Sequence, residues 1–160
     1  MINPLLPLIR IVRLSPFRAI TSGPDTQERV FGAFNTWQEA HLPLIRPMLC
    51  GAPDFLMEHD GLAEWLWAAA DGVTDQDVLP YRLVDFPGGL YACITMIDGN
   101  DESGSLAYRT VLDWLAQSRF EPDEGPDRRT LYHMLHPEPA LEAALGYHQC
   151  ELFVPVRIRA

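Results

Sequence analysis

The sequence predicts an α+β fold made of duplicated β-α-β-β modules with pseudo-two-fold symmetry around a central groove. Three observations predict it. Short apolar runs alternate with polar residues at strand spacing. Two stripes of apolar residues recur at helical spacing. The same order of elements then occurs twice, over about residues 5–73 and 80–160. The 160 residues are 48% hydrophobic and 21% charged, enough for one domain, 1–160, with a buried core.

The first run, Leu8 to Ile20, is extended in character and is interrupted at Ser15-Pro16, where proline marks a bulge or an edge. Asp25 with Glu28 three residues on resembles a capping box. Val30, Phe34 and Trp37 follow on one helical stripe, which ends before Pro43. Strands are expected over Pro53–Met57 and Ala63–Ala70, joined by turn chemistry at His59-Asp60-Gly61. Gly72 to Pro80 is a polar linker.

The second half begins with a strand region, Tyr81 to Ile97, bent at Pro87-Gly88-Gly89, and Asp98 to Gly104 is expected as a loop. Ala107, Val111, Trp114 and Leu115 then form a helical stripe ending near Ser118. Glu121 to Asp127 is expected as an acidic, solvated loop. Leu131 to His136 is a strand, Pro139 to Leu145 a short helix closed by Gly146, and Glu151 to Ile158 the last strand.

The halves correspond in residues as well as in order. Ile9-Arg10-Ile11-Val12 matches Tyr81-Arg82-Leu83-Val84. Trp37 matches Trp114, both expected in the core. Ala63-Glu64-Trp65-Leu66-Trp67 lies where Cys150-Glu151-Leu152-Phe153-Val154 lies.

Charge and composition narrow the function classes. A formal charge of −10 argues against sequence-independent nucleic-acid binding, which needs cations to neutralise phosphates. It suits cationic small molecules or basic protein surfaces. Cys50, Cys93 and Cys150 are widely spaced and give neither a zinc site nor a disulfide framework. His133 and His136, on a strand, point to opposite faces, so no shared metal is expected. No cofactor motif, phosphate loop or nucleophile–base pair is legible. No apolar run reaches membrane-spanning length, and Pro4, Pro7, Arg10 and Arg13 break the N-terminal run, so a cytoplasmic protein is expected.

One residue stands out. Glu151 is an acid in an otherwise apolar strand, sharing a face with Phe153 and Pro155, while Leu152, Val154 and Val156 take the face toward the helix. A buried acid needs a cationic partner. That partner is either an arginine such as Arg82 or Arg157, or a ligand with a charged head and apolar body. Tyr91, Phe55 and Tyr147 are further aromatic candidates for the groove. Trp65 and Trp67 share a face. If Glu64 is the counterpart of Glu151, Glu64 faces the groove and both tryptophans face the helix; shifted by one residue, the tryptophans wall the groove.

The stretch Val84-Asp85-Phe86-Pro87-Gly88-Gly89-Leu90-Tyr91-Ala92, then Trp114-Leu115, then Leu145-Gly146-Tyr147 leading into Glu151-Leu152-Phe153-Val154-Pro155-Val156, resembles the GyrI-like small-molecule-binding family. That family includes effector-binding domains of AraC-type and MerR-type regulators and stand-alone gyrase-inhibitory proteins. The resemblance implies a cleft for amphipathic, cationic or flat aromatic molecules, with Glu151 as its acid and Phe153, Trp65, Trp67, Tyr91, Phe55 and Tyr147 as ligand-binding candidates. No helix-turn-helix is read ahead of the first strand, so a stand-alone effector-binding or drug-sequestering protein is expected, with a protein partner or a homodimer as a further option. Two alternatives follow from the same resemblance: a hydrolase of strained cyclopropane-bearing natural products using Glu151 as base, and a gyrase-inhibitor-like interaction module.

Overall fold

Two long, bent strands organise the molecule. The computed structural model describes residues 8–47, 53–135 and 138–160. Strands β1 (Arg10–Leu14) and β2 (Phe17–Thr21) follow each other across Ser15-Pro16. Strands β5 (Arg82–Phe86) and β6 (Gly89–Ile97) follow each other across Pro87-Gly88. One antiparallel register carries across both bends: Arg10 pairs with Cys93, Leu14 with Gly89, Phe17 with Phe86 and Thr21 with Arg82. The interruptions expected at Ser15-Pro16 and at Pro87-Gly88-Gly89 thus each divide a run into two strands, and the bend changes the outer neighbour. The corner leaves no room for a side chain at Gly88. Its φ is +70°, and a Cβ there would meet the Leu14 carbonyl oxygen and stand 2.8 Å from Pro16 N.

The remaining elements are helix α1, a 3-10 turn (Leu42–Leu44), β3 (Asp54–His59), β4 (Leu62–Ala68), helix α2 (Asp101–Ala116), β7 (Phe120–Pro122), β8 (Leu131–Met134), helix α3 (Pro139–Leu145) and β9 (Gln149–Ile158). Helix α1 runs through Gln27–Arg29, a π-helical stretch Val30–Phe34, and Asn35–Ala40. Its N-cap is Thr26, whose hydroxyl accepts from Arg29 N at 3.4 Å, one residue later than the Asp25 start expected from sequence. Asp25 instead accepts from Thr26 N at 2.7 Å.

The sheet order is β1-β6-β9-β8-β3-β4-β2-β5, with β7 beside β9. Since β1 and β2 belong to one bent strand, hydrogen bonding runs from β1 round to β2 and the sheet curls into a barrel-like shell. Exchanging β1 with β5, β2 with β6, β3 with β8 and β4 with β9 returns the same order read backwards.

Three apolar clusters fill the layers. Ala107, Val111 and Leu115 of α2 pack on Cys150, Leu152, Val154 and Val156 of β9. Val30 and Phe34 of α1 pack on Ala63, Trp65 and Trp67 of β4. Inside the curl lie Phe55, Leu66, Phe86, Tyr91, Leu131 and Phe153. A fully buried side chain of this size contributes about 1.5–3 kcal/mol by leaving water. Trp37 and Trp114 are half-buried and pack against the two helix-side clusters.

Two expected loops are partly regular. Asp98 to Gly104 contains the start of α2, because the Asn100 side chain accepts from Ser103 N at 2.8 Å and Asp101 and Glu102 complement the helix dipole. Phe120–Pro122, at the edge of the expected acidic loop, pairs with Val156 to Ile158 of β9. Helix α3 closes as expected, with Gly146 left-handed at φ 82°. His136 and Cys50 lie outside the described residues.

Candidate functional site: a groove between the helices

Alternation along β4 and β9 divides the sequence-predicted residues between two faces. On β9, Leu152 and Val154 lie under α2 while Phe153 points into the curl. Glu151 shares the inward face with Phe153. On β4, Trp65 and Trp67 lie under α1 while Leu66 points inward, and Glu64 shares its face. The register is therefore the one in which Glu64 corresponds to Glu151 and both tryptophans face the helix.

The inward face collects Glu151, Phe153, Phe55 and Tyr91. The Phe55 ring stands 5.6 Å from Phe153, and Tyr91 stands 6.1 Å from it. Burial pushes the Tyr91 hydroxyl pKa upward, partly opposed by the Arg128 guanidinium 5.5 Å from its ring. Glu151 is 6% exposed and its Oε1 pairs with the Arg10 guanidinium. Its partner is thus Arg10 of β1, rather than Arg82 or Arg157; Arg157 pairs with Glu121 at 2.6 Å. Tyr147 lies apart from both faces' cores, at the surface beyond α3.

A groove lies on the other face, between α1 and α2. Its deeper part is a cavity of about 210 Å³ lined by Phe31, Leu56, Trp65, Tyr132 and Met134, with Asp54 and Asp98. It continues into a wider part of about 550 Å³ that shares Phe31, Leu56, Asp98 and Tyr132 and adds Glu58 and Asp101. The π-helical stretch of α1 places Phe31 here, half in solvent, with its ring 5.5 Å edge-on to Trp65. Among the described residues, neither part is lined by an arginine or a histidine.

Asp54 anchors the floor. It is 3% exposed, its Oδ2 accepts from Trp65 Nε1 at 2.8 Å, and its Oδ1 accepts from Met134 N at 3.3 Å. Behind it, His133 Nδ1 lies 2.9 Å from the Asp54 carbonyl oxygen and 3.4 Å from Oδ1. Both are acceptors, so Nδ1 carries the proton. Burial lowers the His133 pKa, but the Asp54 hydrogen bonds and charge outweigh it and the net shift is upward. Burial likewise raises the Tyr132 pKa, with Glu58 adding to it.

Phe31, Tyr132, Asp54 and Asp98 escaped the sequence reading. The available signal was Phe31 itself, a large apolar residue off the Val30–Phe34–Trp37 stripe. Among the described residues no group of three histidines, cysteines or acids is placed to hold a metal ion. Cys93 and Cys150 are buried, and burial pushes each thiol up to about 12.

No protein-family model and no curated protein matches the chain. Solved structures do match. The structure of SAV2435 bound to tetraphenylphosphonium superposes with a TM-score of 0.57 at 13% identity, covering 93% of each chain. The EcmrR C-terminal domain superposes with a TM-score of 0.64 at 10% identity, covering 94% of this chain and 97% of that one.

The chain shares the fold of these two structures.

A hydrolase from Listeria innocua carries the same fold, with a TM-score of 0.63 at 12% identity, covering 93% of this chain and 91% of that one. At such identities the likeness is one of fold. No helix among the described residues is long and apolar enough to cross a membrane.

Proposed function

We infer that this GyrI-like chain is a small-molecule binding module whose groove between α1 and α2 takes amphipathic, cationic or flat aromatic compounds, in transcription regulation or in drug and toxin sequestration. One observation carries the reading: among the described residues the groove has aromatic and apolar walls, and its only ionisable side chains of full charge are acids. A cation with an aromatic body gains charge attraction from Asp98 and Asp101 and ring contact from Phe31, Trp65 and Tyr132. The neighbour bound to tetraphenylphosphonium agrees with that chemistry. In this reading the two halves descend from one β-α-β-β unit, and the groove straddles their junction, where ligand sites are common.

The hydrolase alternative asks Glu151 to activate water. Its carboxylate is buried and paired with Arg10, and it borders neither part of the groove, so the binding module is the better supported reading.

Trp65 makes the test direct. Titration with tetraphenylphosphonium is expected to change tryptophan fluorescence saturably, and Phe31→Ala or Asp98→Asn to weaken binding about two- to fivefold, the range of one exposed aromatic or ionic contact. Unchanged fluorescence in a folded wild type, or binding by both variants as tight as the wild type's, would remove the groove from consideration.

A further inference from the structure

Glu64 and Glu151 hold equivalent places in the two halves, on β4 and β9, yet their surroundings differ. Glu151 is neutralised by Arg10 of β1. The equivalent strand, β5, offers Arg82, but Arg82 is exposed and makes no ion pair among the described residues. Glu64 instead accepts the Thr21 hydroxyl proton on Oε1 at 2.5 Å, and its Oε2 lies 2.8 Å from His59 Nε2. Its side chain is 9% exposed. It is therefore a buried carboxylate with no permanent cation paired to it among the described residues. Such a group is costly to hold, and an incoming cation recovers the cost.

Beside Glu64 is a cavity of about 490 Å³ with apolar walls from Met57, Leu66, Val84 and Phe86. Arg129 also lines it, but its guanidinium turns to the Glu58 carbonyl oxygen at 3.5 Å. Asp85 and Asp127 add negative charge; Asp85 reaches Arg18 at 3.6 Å. This cavity is on the face opposite the helix groove, since Glu64 and Leu66 alternate with Trp65 and Trp67.

We propose that the Glu64 cavity is a second small-molecule site, taking a protonated aryl-alkyl amine whose ammonium meets Glu64 and whose apolar body lies on Met57, Leu66, Val84 and Phe86. Glu64 Oε2 accepts an N–H, so this site favours protonated amines over permanent cations that lack one, such as tetraphenylphosphonium.

The test is amide-resolved NMR titration of the whole chain with 2-phenylethylammonium and, as neutral control, 3-phenylpropan-1-ol. The ammonium is expected to shift amides of His59–Glu64 saturably, with the alcohol at least tenfold weaker. Glu64→Gln is expected to weaken the ammonium at least tenfold. His59→Arg, which keeps the acid but sets a permanent cation beside it, is expected to do the same and carries the test if Glu64→Gln fails to fold. Phe31→Ala, in the groove, is expected to leave this titration unchanged, so failure here and failure of the groove are distinguishable. Equal binding of alcohol and ammonium, undiminished binding by folded His59→Arg, shifts confined to Phe31 and Trp65, or no saturable shift at millimolar ammonium would each overturn the proposal.

Discussion

Replacing Arg10 by methionine removes the cation that neutralises Glu151 while keeping much of the stem's apolar contact. Glu151 is 8% exposed at its side chain and Arg10 60%. Breaking a fully buried pair from one side costs about 3–5 kcal/mol. Here water reaches the arginine end, which screens the pair and lets solvent approach the stranded carboxylate. The expected cost is therefore about 2 kcal/mol, below the fully buried range. For a chain of this size that is a fall in Tm of about 4–8 °C. Urea unfolding of wild type, Arg10→Met, Glu151→Gln and the double variant closes a thermodynamic cycle. The double variant should recover at least half of the Arg10→Met loss, because no charge is then left buried alone. A loss below about 0.5 kcal/mol for Arg10→Met, or a double variant no more stable than it, would falsify the assignment of Arg10 as the neutralising partner.

Two further outcomes follow from the same coordinates. Gly88→Ala is expected to cost more than about 2 kcal/mol, because strain at φ +70° adds to contact with the Leu14–Pro16 backbone, whereas Gly61→Ala, at φ +86° in open space, should cost about 1 kcal/mol; equal urea midpoints for the two would remove the corner constraint. His133 has a raised pKa in the folded state, so its stabilising share is full below the ordinary imidazole value near 6.5 and is lost as pH rises through the raised one; the wild type's stability advantage over His133→Gln should thus shrink from pH 5.5 to pH 8.5, and an advantage that grows with pH would contradict the Asp54 contact.

Much of the fold was legible in short-range patterning. Leu152, Val154 and Val156 separate from Glu151 and Phe153 in the sequence as they do across the sheet, because a strand's two faces follow from its two-residue period. The helix stripes at Val30–Phe34 and Ala107–Val111–Leu115 were legible for the same reason at the helical period. What escaped was long-range or fine. Arg10 meets Glu151 only because β1 and β9 flank β6, a neighbourhood no local pattern encodes. Asn100, Asp101 and Glu102 look like loop residues until read as a cap and an acidic first turn. Sequence singles out the acid of the last strand; Asp54, at the start of β3, is hidden because its indole partner Trp65 is brought to it by β3–β4 pairing. The π-helical stretch that turns Phe31 to the groove has no sequence signature of its own.

The continuous register of the two bent strands bears on how this protein behaves among its own copies. A strand with unpaired N–H and C=O groups is a template for another chain, and long apolar edges nucleate aggregates. Here each bent strand is flanked on both sides along one limb, by β4 beside β2 and by β9 beside β6. Among the described residues the free rims of β1 and β5 are five residues each and carry Arg10 and Arg13 on one, Arg82 and Asp85 on the other, and β7 adds a rim of three residues. The bend thus works as a guard against edge-to-edge association, keeping the free rims of β1 and β5 short and charged.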